Sequence, residues 1–80
     1  MENNQTANLY EVSDKCTFQV VSVPNIALLQ NLGLRAGTQA TLQNRYKLGG
    51  PVLLRVEDTY SIALGKDIAE QIAVREVAAL

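Results

Sequence analysis

The sequence contains no histidine, no tryptophan and a single cysteine, Cys16. Without histidine it lacks the side chain that most often acts as a general base near neutral pH or as a neutral metal ligand. Nucleophilic catalysis by a serine-histidine pair is therefore excluded. A lone cysteine cannot form an internal disulfide, and it fits a reducing compartment such as the cytoplasm.

The sequence also has no large excess of positive or negative charge and no long apolar run. Seven Lys and Arg residues face eight Asp and Glu residues, for a net charge of −1, which argues against the basic face that nucleic-acid binding requires. No apolar run approaches the ~18 residues of a membrane span. The polar start of the chain, Met1–Asn8, predicts no signal peptide. We expect a cytoplasmic protein without nucleic-acid binding or membrane insertion.

What remains is a small, aliphatic chain. Its 80 residues are 48% hydrophobic, which is enough for one small domain. With only three tyrosines and one phenylalanine, the core must be built from Val, Leu, Ile and Ala. The start of the chain is rich in Asn and Gln and has no periodicity. We therefore predict a disordered or poorly ordered tail over residues 1–14 and a folded domain over 15–80.

Five segments have the β-branched or alternating pattern that is typical of strands. The predicted strands are residues 16–23, 38–46, 52–57, 60–64 and 73–77. Alternation with a polar opposite face indicates that one side of the sheet is solvated. The side chains predicted to face the core on the three middle strands are Ala40, Leu42, Tyr46, Val52, Leu54, Val56, Tyr60, Ile62 and Leu64.

Apolar residues at helical spacing predict two short helices, over residues 25–32 and 66–71. Asn25 is the expected N-cap of the first helix, because its side-chain oxygen can accept from a free backbone N–H. Gly33 is expected to end that helix, with Leu34 folding back onto it. Five short strands with two helices at the ends predict an all-β fold, a small antiparallel barrel.

Glycine and proline mark the other turns. Gly37 supplies a tight turn shortly after Gly33, and Gly49-Gly50-Pro51 ends one strand and begins the next. We predict positive φ at Gly33 and at one or both of Gly49 and Gly50. The Gly-Gly-Pro run is not a phosphate loop, since it lacks the required spacing and Pro51 has no N–H to donate.

Few side chains can carry chemistry. Cys16 lies in an apolar strand, where it is either a small core residue or a reactive or ligating thiol. Glu57 and Asp58 are adjacent carboxylates in a hairpin turn, where they are either solvated or in weak contact with a divalent cation. We predict no catalytic residue, no metal site and no cofactor.

One group of residues is a candidate for binding a partner. The turn before Pro51 either has a structural role only or supports a contact loop. Leu53 is an apolar residue on the outward face of its strand, near that turn. Arg45, Lys47 and Arg55 form a small basic patch, which is either solvated or docks onto an acidic surface. The candidate partner-binding residues are Tyr46, Lys47, Leu48, Leu53 and Arg55.

The order of these pieces resembles the ferrous-iron transport protein A family, FeoA. The similarity spans about residues 16–77, and a family glycine expected before the first strand has no counterpart in residues 9–15. The resemblance implies an SH3-like domain, similar to the C-terminal domain of iron- and manganese-dependent repressors. The matching positions are Leu32, Gly33, Leu34, Gly37, Gly49, Gly50, Pro51, Ala63, Leu64, Ala69, Ile72 and Val74.

The resemblance also implies a partner, the cytoplasmic domain of a FeoB-type ferrous-iron transporter, which this domain would bind and regulate. The alternative is a regulatory SH3-like module that acts on a metal-dependent transcriptional regulator. A metal carrier is disfavoured by the missing histidine, and an enzyme by the missing catalytic constellation. The sequence leaves the oligomeric state open.

Overall fold

The computed structural model describes residues 6–77. Within them, six antiparallel strands form one sheet in the order β1-β6-β2-β3-β4-β5. The strands are β1 (Ala7–Asn8), β2 (Thr17–Ser22), β3 (Gln39–Arg45), β4 (Val52–Val56), β5 (Tyr60–Leu64) and β6 (Ala73–Glu76). Two short helices are α1 (Ala27–Asn31) and α2 (Lys66–Ala69), and a 3-10 turn covers Leu9–Glu11. The predicted class, an SH3-like all-β fold with two short helices, is confirmed.

The sheet curls around one aliphatic core. Inward residues of β4 show the predicted alternation, since Val52 and Leu54 are fully buried and Val56 is 2% exposed. Burial of each such side chain contributes roughly 1.5–3 kcal/mol to folding. In this part of the chain no helix has both the length and the apolar character that crossing a bilayer requires. The core consists of Leu9, Val12, Phe18, Val20, Leu29, Leu34, Ala40, Leu42, Val52, Leu54, Val56, Leu64, Ala69, Ile72 and Val74.

Helix α1 ends at the glycine that the sequence singles out. Gly33 has φ +84°, and its N–H donates to the Gln30 carbonyl at 3.1 Å. The Leu34 N–H reaches back to the Leu29 carbonyl at 3.0 Å, which completes a Schellman motif. A Cβ at Gly33 would lie 2.5 Å from the Tyr60 hydroxyl oxygen, so any other residue must both adopt the left-handed conformation and displace the end of the Tyr60 side chain.

The start of α1 differs from the prediction. Ile26, not Asn25, is the N-cap residue, and no side chain caps the helix there. The Ile26 N–H instead donates to the Pro24 carbonyl at 2.8 Å. This tight turn after the proline delays the helix, so α1 is shorter than predicted.

Residues 7–14 are part of the fold, and the predicted tail therefore does not reach residue 14. β1 pairs with β6, and the Leu9 N–H donates to the Ile72 carbonyl at 2.9 Å. Leu9 and Val12 are both buried in the core. Two isolated apolar residues give no periodic signal, which is why the sequence pattern missed them. Residues 1–5 of the predicted tail lie outside the described residues.

A bulge in β3 shifts the alternation near the end of that strand. Asn44 pairs with Leu53, although regular pairing would place the preceding residue there, and Arg45 then pairs with Val52. One extra residue on β3 reverses the face of everything that follows it. Tyr46 is consequently 46% exposed, and its predicted inward orientation is wrong.

Tyr60 lies on the predicted inward face of β5, since it pairs with the buried Val56. Its side chain is nevertheless 40% exposed, and its hydroxyl donates to the Leu32 carbonyl at the end of α1. Further along the same strand, Leu64 is buried and Ile62 packs against the core, as predicted.

Candidate functional site

The turn that joins β3 to β4, called the 46–51 turn here, carries the most unusual conformation of the candidate residues. Its two central residues both have positive φ, +63° at Leu48 and +77° at Gly49. The Gly50 N–H donates to the Lys47 carbonyl at 3.3 Å, so the geometry is that of a type I′ turn. Glycine suits this turn, whereas leucine in the left-handed region costs about 1–2 kcal/mol.

Leu48 is also completely exposed, with a relative accessibility of 104%. It therefore stabilises neither the core nor its own turn. Tyr46 is exposed beside it, and Leu53 is half-buried on the outer face of β4. Leu48 thus combines an exposed apolar side chain with a strained backbone conformation.

Glycine is needed at position 50 because neighbouring atoms lie close to it, and not because of a positive φ. A Cβ there would lie 2.8 Å from the Tyr46 Cβ and 3.3 Å from the carbonyl oxygens of Tyr46 and Lys47. Pro51 follows in an exposed position, and its carbonyl accepts from the Tyr46 N–H at 3.0 Å. The 46–51 turn is thus tightly closed at its base.

Arg55 lies apart from this turn. It pairs with Thr41 on one side and Ser61 on the other, toward the far end of β4. Its guanidinium donates to the Asp58 carbonyl at 3.2 Å. The predicted surface therefore divides into four residues around the 46–51 turn and Arg55 at the opposite end of the strand.

Arg45 is predicted to add positive charge beside the turn, but its side chain instead makes contacts inside the protein. Its guanidinium donates to the Tyr10 carbonyl at 2.8 Å and to the Val12 carbonyl, and it contacts the Asp14 carboxylate at 2.7 Å. The bulge in β3 turns this side chain toward residues 10–14. Arg45 ties the N-terminal segment to the sheet and does not extend the exposed surface.

Lys66, which the sequence pattern missed, supplies charge at the turn instead. It is the first residue of α2, and its Cδ lies 4.0 Å from where a Cβ on Gly49 would stand. Lys66 therefore lies beside the turn, and the exposed Lys47 directly precedes Leu48 within it. No motif links Lys66 to a turn so distant in sequence, and the two come together only because α2 folds back against the barrel.

A second feature is an open groove of about 480 Å³ on the outer face of β2, β3 and β4. Polar side chains line much of it and satisfy one another, as in the 3.1 Å contact between the Thr17 and Thr41 hydroxyls. Glu57 and Asp58 also line it. Among residues 6–77, no three Cys, Asp or Glu side chains are grouped to hold a metal ion. The groove offers hydrogen bonds but no apolar anchor.

Cys16 is half-buried and packs against the core. Burial raises the pKa of its thiol, and the negative charge of Glu76 acts in the same direction. The thiol is therefore protonated near neutral pH, and only a thiolate is a good nucleophile or metal ligand. This environment favours the structural alternative for Cys16.

Comparison with protein families identifies the fold. The profile of the FeoA domain matches residues 7–76. The chain belongs to the FeoA family. The match begins at β1, so it includes the N-terminal segment that the sequence pattern assigned to a tail. A search among curated proteins found no match.

Solved structures of FeoA proteins and of metal-dependent repressors share this fold. An iron uptake regulatory protein (FeoA) has 24% sequence identity and a TM-score of 0.80, covering 91% of this chain and 99% of that chain. A FeoA-like protein from Clostridium acetobutylicum has 24% identity and a TM-score of 0.80, covering 98% and 94%. A manganese-dependent transcriptional repressor has 15% identity and a TM-score of 0.82, covering 95% of this chain and 44% of the repressor.

Proposed function

We propose that this FeoA domain is a non-enzymatic, cytoplasmic interaction domain that binds and regulates the cytoplasmic domain of a FeoB-type ferrous-iron transporter. The observation that carries the proposal is the family match over residues 7–76. A similar solved structure is described as an iron uptake regulatory protein, which supports a regulatory role in iron uptake.

The exposed surface around the 46–51 turn is the proposed contact region. Apolar anchors at the centre of an interface contribute most of the affinity, and charges at the rim mainly affect the association rate and its salt dependence. Leu48, Tyr46 and Leu53 are suited to the first role, and Lys47 is suited to the second. Because this surface is small, the complex should be weak and transient, burying less than ~1,200 Å².

The test is an NMR titration of the isotope-labelled chain with the soluble cytoplasmic domain of the transporter. We expect shift changes at Tyr46, Lys47, Leu48 and Leu53. A folded variant carrying both Leu48→Asp and Leu53→Asp should bind far more weakly. Unchanged binding by that variant, or shift changes confined to residues 1–15, would contradict this site.

Arg55 provides an internal control in the same titration. It was predicted with the turn residues but lies toward the other end of β4. Shift changes at Arg55 alone would move the contact surface to the polar groove, since Arg55 lines that groove. No shift change at any residue would refute the transporter as a partner.

The alternative function is regulation of a metal-dependent transcriptional regulator. The observation that favours it is the fold similarity to the manganese-dependent repressor, which covers 95% of this chain. The same titration with a metal-dependent repressor from the same genome separates the two functions. Binding to the repressor and not to the transporter domain would select the alternative. A transporter reading frame beside this gene would favour the first proposal.

A further inference from the structure

Tyr10 connects the N-terminal segment to the 46–51 turn. Its hydroxyl donates to the Gly50 carbonyl at 2.9 Å. Its own carbonyl accepts from Arg45 Nε at 2.8 Å. Gly50 follows the strained centre of the turn, and Arg45 lies just before the turn at the end of β3. Tyr10 thus holds the turn through both of its flanks.

Two cations also lie near the Tyr10 ring. The Arg45 Cζ is 5.9 Å from the ring centroid, and the Lys66 Nζ is 5.6 Å from it. Cations over an aromatic face are attracted by the ring at such distances. The exposed Glu70 carboxylate is 3.9 Å from the Lys66 Nζ and competes weakly for it. Tyr10 therefore helps to keep the Lys66 side chain beside the turn.

We propose that Tyr10 is a positioning residue that holds Leu48 outward between Lys47 and Lys66. Leu48 is then a preformed apolar anchor with a basic rim, and it fits an apolar socket bordered by carboxylates on the partner. This inference rests on the proposed function and specifies the chemistry of the partner. If Leu48 is held in place before binding, less conformational entropy is lost on association. This gain would offset the strain of the leucine backbone.

The first experiment compares Tyr10→Phe with Tyr60→Phe, using the soluble cytoplasmic domain of the FeoB-type transporter as the probe. Each variant loses one hydroxyl that donates to a backbone carbonyl, but the Tyr60 hydroxyl bonds Leu32 at the other end of the sheet. We expect Tyr10→Phe to weaken binding about fivefold, since a single hydrogen bond is lost. Tyr60→Phe should bind like the parent chain.

A second measurement needs no partner. Amide hydrogen exchange and backbone relaxation at Leu48 and Gly49 should show a looser turn in Tyr10→Phe and an unchanged turn in Tyr60→Phe. The two variants together separate positioning of the turn from a general loss of stability, because a merely structural hydroxyl would not change the turn selectively.

The third comparison tests the basic rim. Lys66→Glu should weaken binding about tenfold at low salt and reduce the salt dependence of the association rate. Arg35→Glu is the matched control, because Arg35 is exposed beside the turn at Gly37, away from the 46–51 turn. It should change binding little.

The outcomes distinguish this inference from the proposed function. Loss of binding in Leu48→Asp, with parental binding in Tyr10→Phe and Lys66→Glu, would overturn the inference and leave the function standing. Equal weakening by Tyr10→Phe and Tyr60→Phe would also overturn it. Failure of the parent chain to bind would overturn the proposed function and the partner chemistry, while the exchange data still decide whether Tyr10 orders the turn.

Discussion

The turn after α1 and the 46–51 turn contain the same kinds of residue, a glycine with a neighbouring leucine, but the leucine is buried in one and exposed in the other. Each contains a glycine with positive φ, Gly33 in one and Gly49 in the other. Each is held by a tyrosine hydroxyl that donates to a backbone carbonyl. In the first turn the leucine after the glycine, Leu34, is fully buried, whereas in the second the leucine before the glycine, Leu48, is fully exposed.

The difference separates a turn whose leucine stabilises the fold from one whose leucine is exposed to solvent. In the first, glycine adopts the left-handed conformation, and burial of Leu34 contributes roughly 1.5–3 kcal/mol. In the second, a leucine adopts that conformation at a cost of about 1–2 kcal/mol, with no burial in return. Similar turn chemistry in a sequence therefore does not reveal whether the leucine of a turn is buried or exposed.

The largest effect is expected where the first turn is tightest. Gly33→Val should lower the free energy of unfolding by about 3 kcal/mol, from the left-handed backbone and the clash with Tyr60 together. Gly37→Ala is the control, because Gly37 has φ +97° but no atom within 4 Å of its Cβ position, so about 1 kcal/mol is expected. Chemical denaturation measures both. A Gly33→Val protein as stable as the parent would contradict the capping role.

A smaller loss is expected behind the second turn. Arg45→Met should lower stability by about 2 kcal/mol, because two carbonyls of the N-terminal segment lose a charged donor. Hydrogen exchange at the Leu9 amide, which donates to Ile72, should accelerate. In the control Arg55→Met, only an exposed contact to a turn carbonyl is lost, and exchange at Leu9 should stay as in the parent. Parental exchange in Arg45→Met would show that Arg45 does not secure the segment.

A substitution at Leu48 is expected to increase stability and not to lower it. Leu48→Asn should raise the free energy of unfolding by about 0.5–1 kcal/mol, since asparagine tolerates positive φ better than leucine. The same variant should bind the transporter domain more weakly. Leu53→Asn, made on a regular strand, should lower stability instead. A destabilised Leu48→Asn would mean that the leucine is not strained.

The smallest effect lies outside both turns, at Cys16. Burial raises its folded-state pKa above the ordinary thiol value of 9.0. As pH rises, the unfolded chain therefore loses this proton before the folded chain does. The contribution of the neutral thiol to stability is fully present below the pKa of the unfolded chain, and it is lost as pH rises through the folded-state pKa. The stability difference between the parent and Cys16→Ala should be constant at neutral pH and shift against the parent above pH 9.0. A pH-independent difference would contradict this assignment.

The sequence was informative where side chains repeat with a period. Alternation predicted the buried face of β4, and the glycine after three-residue apolar spacing predicted the end of α1. It failed at the bulge in β3, because one extra residue between Leu42 and Asn44 leaves no compositional mark and reverses Tyr46. It also missed Tyr10 and Lys66, since their place beside the 46–51 turn depends on how distant segments fold together.

The position of β6 has a consequence for how the chain is made. β6 lies between β1 and β2 in the sheet, although it is the last of the described strands along the chain. On the ribosome, β1 has no hydrogen-bonding neighbour until residues 73–76 have emerged, so its pairing must follow synthesis of nearly the whole domain. Such distant pairing slows folding, and until it forms, the edge of β2 that pairs with β6 remains open to other nascent chains.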